Sequence, residues 1–155
     1  MTDPARTFGE LLLRHEREIF TYALRLTGRR DQADDVFQET FLAAFRAWPP
    51  PRLDHTRAWL YRIATSKVVD RARRVKRLVP LDADLRLVTQ PADGAARVDL
   101  RAAIRVLPAG QRAAFVLREV EGLPYADVAR ALDCGIEAAR ARVSEAKKSL
   151  REALR

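Results

Sequence analysis

Apolar residues fall at three- and four-residue steps along most of the chain. Phe8, Leu11, Leu12, His15, Ile19, Tyr22 and Leu26 form one stripe, and Gly28 follows it as a helix stop. A second helix is expected from an N-cap at Asp31, with its stripe through Val36, Phe37, Phe41, Ala44, Phe45 and Trp48. Pro49, Pro50 and Pro51 end it. A third helix is predicted from Thr56 to about Arg77, with Leu60, Ile63, Ala64, Val68 and Val75 on its buried side. Residues 79–95 lose the period and bring in Pro80, Pro91 and Gly94, so they read as a linker, with room for a short helical turn. Four short helices are then expected: Val98–Leu107, Gln111–Val120, Pro124–Leu132, and Ile136 to about Leu154. No stretch alternates apolar and polar residues as a strand would. The pattern predicts an all-α fold of two small helical domains joined by a flexible linker. The boundaries are residues 1–78 for the first domain, 79–95 for the linker and 96–155 for the second.

The last two helices are separated by Asp133, Cys134 and Gly135, which gives them helix-turn-helix spacing. At 100° per residue, Ile136, Ala139, Val143, Ala146 and Leu150 share one stripe of the final helix. Arg140, Ser144, Lys147 and Arg151 share another, with Glu137 and Lys148 beside it and Arg142 on the opposite flank. One face can pack while the other meets a major groove.

Charge sharpens this picture. The 155 residues carry 29 Lys+Arg against 21 Asp+Glu, a formal net charge of +8, which favours an anionic partner. The third helix is the most lopsided stretch, with Arg57, Arg62, Lys67, Arg71, Arg73, Arg74, Lys76 and Arg77 against Asp70 alone. Such a run repels itself unless counter-charge is near, and a phosphate backbone supplies it. Trp59 and Tyr61 lie in the same helix; a ring there can stack on an unpaired base or simply pack in the core. The second helix has the opposite character. Asp34, Asp35, Gln38 and Glu39 beside an exposed Phe41 or Leu42 suit a protein partner bearing arginine.

Cys134 is the only cysteine, which excludes an intrachain disulfide, and His15, His55 and Cys134 lack metal-ligand spacing. No cofactor, metal or catalytic residue is expected, because no phosphate loop, cysteine–histidine pair or carboxylate cluster is present. The first residues, MTDPARTFGELLLRHERE, hold no apolar run of signal-peptide length, and no segment approaches a membrane span. A cytoplasmic protein without membrane insertion is expected.

Three blocks in order carry a family likeness. DQADDVFQETFLAAFRAW is similar to a D-A-E-D-L-V-Q-E-x-F helix, and TRAWLYRIATSKVVDRARR to R-A-W-L-Y-R-I-A-x-N-x-x-x-D-x-x-R. LPAGQRAAFVLREVEGLPYADVARALDCGIEAARARVSEAKKSL parallels a domain with L-P-x-x-Q-R, E-G-x-S-Y-x-E-I-A and a recognition helix. Together the chain resembles a bacterial extracytoplasmic-function (ECF) sigma factor of the sigma-70 family, over about residues 8–154.

The resemblance implies a non-enzymatic subunit that binds core RNA polymerase through its β′ and β subunits, recognises −10 and −35 promoter elements and promotes initiation. It implies core-polymerase contacts at Asp34, Asp35, Gln38, Glu39, Phe41 and Leu42. It implies −10 contacts at Trp59, Arg62, Ser66, Lys67, Arg71 and Arg74, with the loop Pro49–His55 beside the opened strand. It implies −35 contacts at Arg140, Arg142, Ser144, Lys147 and Lys148, and an anti-sigma factor as a further partner. The chain departs from the pattern at Ser66, Pro124, Gly135, Ala139 and Ser144-Glu145, more in the second domain than in the first. Those departures motivate an alternative, a sigma-like protein that binds polymerase or an anti-sigma factor without productive promoter recognition.

Overall fold

A computed structural model describes residues 4–78 and 98–155; the expected linker, 79–95, and any helical turn within it lie outside the described residues. The described residues form seven α-helices and no strands. The first unit contains α1 (Pro4–Thr27), α2 (Arg30–Arg46) and α3 (Thr56–Leu78), with a single 3₁₀ turn at Leu53–His55 leading into α3. The second contains α4 (Val98–Val106), α5 (Ala109–Phe115), α6 (Tyr125–Leu132) and α7 (Ile136–Ala153).

Helix ends follow the local chemistry. Gly28 takes φ +74°, the left-handed geometry that closes α1, and its N–H donates to the Leu24 carbonyl at 2.8 Å. Asp31 is not the cap of α2: Arg29 occupies the extended cap position, and Asp31 lies in the first turn, paired with Arg29 at 3.1 Å. Its carboxylate still faces the positive end of the helix dipole. Asp133 takes φ 54° at the end of α6, and Gly135 opens α7 in extended geometry. The expected helix Gln111–Val120 divides into α5 and a π-turn, Val116–Val120, closed by Glu121 N–H to the Val116 carbonyl at 2.9 Å.

In the first unit α1, α2 and α3 pack mutually around Ile19, Tyr22, Leu26, Val36, Leu60 and Tyr61, all fully buried. Each such aliphatic side chain contributes about 1.5–3 kcal/mol of apolar transfer energy. Tyr22 and Tyr61 meet edge to face at 4.9 Å, and the Tyr22 hydroxyl is 2.7 Å from Thr65 Oγ1. Burial raises the pKa of both phenols, so they stay neutral donors. In the second unit α5, α6 and α7 enclose Leu117, Leu123, Val128 and Val143. A satellite of Leu107, Ala146 and Leu150 joins α4 to α7.

The two units also dock, α3 against α6 and α5, so that one apolar core runs through both. The half-buried guanidinium of Arg112, on α5, accepts no ion pair. It donates instead to the carbonyls of Ile104 (3.2 Å), Leu107 (3.0 Å) and Arg105 at the end of α4, and to Leu26 of α1 at 2.7 Å. Burial lowers its pKa, and neighbouring Arg105 adds to that. Arg25 binds Glu121 across the same seam. The sequence pattern shows two units but gives no sign of this docking.

Candidate polymerase and nucleic-acid interfaces

The exposed side of α2 carries Asp34, Asp35, Gln38 and Leu42, with Glu39 half-buried at its margin. Phe41 does not belong to this surface. It is 6% exposed, its ring 4.9 Å from Phe37 and 6.4 Å from Phe8, so it is core. The apolar centre of the face is instead Leu42 (50% exposed) with Phe45 (53% exposed) one turn on. Phe45 has an edge contact to Phe8 at 5.2 Å, which is why periodicity assigned it to the buried stripe. Acidic side chains around two exposed apolar ones make a patch of the kind found at protein interfaces.

α3 presents its cations next to that patch. Arg62, Ser66, Arg73 and Arg74 are exposed, and Lys67 and Arg71 half-buried. Arg71 Nη2 binds Asp35 at 3.1 Å, linking the basic helix to the acidic one, while its Nη1 is buried without a partner. Arg62 reaches Asp133 in the helix-turn-helix turn at 3.1 Å. Arg57 is committed to structure: it donates to Glu18 at 3.0 Å, beside His15 and the Tyr61 hydroxyl on the same carboxylate. Partial burial alone would raise the Glu18 pKa. The His15 hydrogen bond and the Arg57 charge outweigh it and hold the carboxyl below the ordinary range. Trp59 is half-buried with its ring 6.4 Å from that of Trp48, an arrangement of core packing that leaves one edge accessible.

On α7, Arg140, Ser144, Lys147 and Lys148 are exposed. Arg142 is not on that face. It is half-buried against α5, its Nε 3.9 Å from where a β-carbon at Gly110 would sit. The 100° steps put it on the opposite flank from Arg140, and α5 covers that flank. Lys147 Nζ is held by Glu119 at 2.7 Å. Arg140 lies over the Tyr125 ring, its Cζ 5.3 Å from the centroid, with Glu137 at 4.0 Å. Tyr125 and Glu119 are partners that no motif spacing on α7 reveals, because both come from outside that helix. Among the described residues no three His, Cys, Asp or Glu side chains converge as a metal site, and no helix is long and apolar enough to cross a membrane.

Two family models match in this order, Sigma-70 region 2 over residues 11–78 and Sigma-70 region 4 over residues 97–150. The ECF RNA polymerase sigma factor SigE of Mycolicibacterium smegmatis is 32% identical over 96% of this chain, which spans 62% of that relative's length. The RNA polymerase sigma-H factor of Pseudomonas aeruginosa is 33% identical over 96% of this chain and 86% of its own. Among solved structures, the sigma factor RpoE in complex with the anti-sigma factor NepR from Bartonella quintana superposes with a TM-score of 0.75 at 28% identity, covering 96% of this chain and 97% of that one. CnrH in complex with the cytosolic domain of CnrY gives 0.69 at 30% identity, covering 97% and 88%. The fold and its two regions define a sigma-type transcription initiation factor. The chain belongs to the sigma-70 family, as a member of its extracytoplasmic-function type.

Proposed function

We propose that this chain binds core RNA polymerase through its β′ and β subunits, recognises −10 and −35 promoter elements and promotes transcription initiation, working in the cytoplasm and without catalytic activity of its own. Residues 1–78 would be the polymerase- and −10-binding domain, 79–95 the linker and 96–155 the −35-binding domain.

The separation of charge carries this reading. In a chain of net charge +8, Asp34, Asp35 and Gln38 flank exposed Leu42 and Phe45 on α2, while the adjoining α3 exposes Arg62, Arg73 and Arg74. The first surface fits a cationic protein partner and the second a nucleic-acid backbone. Asp34, Asp35, Gln38, Glu39, Leu42 and Phe45 are assigned to polymerase. Arg62, Ser66, Lys67, Arg71 and Arg74 are assigned to the −10 region, with the accessible edge of Trp59. Arg140, Ser144 and Lys148 are assigned to the −35 groove, and Lys147 joins them if Glu119 releases it. An anti-sigma factor is a further proposed partner, since the RpoE and CnrH structures each hold one.

The direct test is run-off transcription with purified core polymerase on genomic fragments. Promoter-dependent transcripts should require the chain; none from any fragment would refute the function. Asp34→Lys should weaken core-polymerase binding at least tenfold and leave naked-DNA affinity unchanged, read by fluorescence anisotropy. Asp34 is preferred to Asp35 because the latter also holds Arg71. The Glu119–Lys147 pair and Glu145 favour the second reading, a polymerase-binding protein without productive promoter recognition. Full polymerase affinity together with no preference among DNA sequences would select it.

A further inference from the structure

We infer that Tyr125 is a positioning residue for promoter reading: its ring is the platform that holds the Arg140 guanidinium at the DNA-facing side of α7. This rests on the assignment of Arg140 to the −35 groove. Arg140 Cζ lies 5.3 Å from the Tyr125 centroid. Its other contact is Glu137 at 4.0 Å, at the edge of ion-pair range and between two exposed side chains. The ring is therefore the contact that restrains this arginine.

The platform itself is built in. Tyr125 is half-buried at the first position of α6, directly after Pro124, whose ring fixes φ at −58°. The apolar part of Tyr125 packs on the shared core. Arg118 also lies over the ring, Cζ 4.3 Å from the centroid, and its Nη1 donates to the Leu123 carbonyl at 3.1 Å. The loop before α6, the tyrosine and the second arginine thus form one braced cluster beneath Arg140.

The chemistry allows platform and readout together. A guanidinium over an aromatic ring uses its π face, while the N–H groups that pair with guanine O6 and N7 point out along its edge. A long, exposed arginine otherwise loses much rotamer freedom on being fixed in a groove. On the ring part of that ordering is already made, and Glu137 competes less well for the cation. Tyr125 itself touches no base in this scheme; it acts through Arg140.

The test uses holoenzyme assembled from core polymerase and the full chain. The probe is a promoter fragment selected from random DNA by transcription, together with all single-base variants of its −35 half. Arg140→Ala should cut discrimination at one base pair by about tenfold or more. Tyr125→Phe keeps the ring and should keep the discrimination. Tyr125→Leu should reduce it about two- to fivefold at that same base pair, the size of an exposed cation–π contact, with non-specific affinity and its salt slope unchanged. In the Arg140→Ala background Tyr125→Leu should have no further effect on base preference. If circular dichroism shows that the leucine variant does not fold, Tyr125→Met takes its place, and Tyr125→Trp should match or exceed the parent. Unchanged discrimination in the leucine or methionine variant, or an equal loss across all sequences, would overturn the platform alone. If Arg140→Ala leaves every −35 preference intact, the assignment of Arg140 fails and the platform with it.

Discussion

Glu18 accepts from His15, Arg57 and Tyr61, and its carboxyl is held below its ordinary range although partial burial works the other way. A carboxylate with a lowered folded pKa stabilises the protein above the unfolded value, about 4.3, and that contribution is lost as pH falls through the folded value. Glu18→Gln should therefore cost about 1 kcal/mol near pH 7, discounted for the open surroundings, and the difference should vanish by about pH 3. Urea midpoints of both proteins across pH 3–7 check this. At this scale the sequence was partly legible. Asp34, Asp35, Gln38 and Leu42 are exposed as their spacing predicts, yet Phe41 and Phe45 exchange roles. An angular step of 100° separates faces well but not the centre of a stripe from its edge. Arg142 failed for a related reason, since which helix covers a flank depends on tertiary packing that α7 alone does not encode.

Helix boundaries were the most legible feature, because Gly28, Pro49, Pro108, Pro124 and Gly135 act through local backbone geometry. Their effects do not wait on packing. The exceptions are informative. Arg29 replaces Asp31 at the α2 cap position, which the carboxylate–dipole preference alone did not resolve. The π-turn has no residue signature at all. At the start of α7, Gly135 has φ −74° and ψ 161°, no side-chain cap, and open space where a β-carbon would stand. A serine fits that geometry and can accept a hydrogen bond from an N–H of the first turn. Gly135→Ser should raise stability by a few tenths of a kcal/mol, seen as an upward shift of the urea midpoint. A downward shift would mean that this end of the helix is already satisfied in another way.

Across the whole molecule the least legible feature is the docking of the two units. Residues that meet at the seam, such as Arg112 and Leu26, are 86 positions apart, and no periodicity links them. Replacing Arg112 by methionine keeps much of the volume but strands four carbonyl groups, so a loss of roughly 2–4 kcal/mol is expected. Both tryptophans, Trp48 and Trp59, belong to the first unit, whereas Arg112 belongs to the second. If the shared core makes unfolding cooperative, tryptophan fluorescence and far-ultraviolet circular dichroism will shift together in Arg112→Met. Separate transitions, with the fluorescence midpoint unmoved, would show that the units unfold independently.

The π-turn at Val116–Val120 has a consequence for how chains of this type can differ in length. It accommodates one residue more than a regular spiral, and it sits between α5 and the loop that delivers Tyr125. A chain one residue shorter there could close an ordinary α-turn without breaking its backbone ladder. Everything downstream would then be rotated by about 100° and shifted by about 1.5 Å relative to α5. Such a deletion would be nearly silent in helix content yet would re-aim the tyrosine away from the recognition helix. An alignment gap at this point therefore marks a change in geometry, not merely in length.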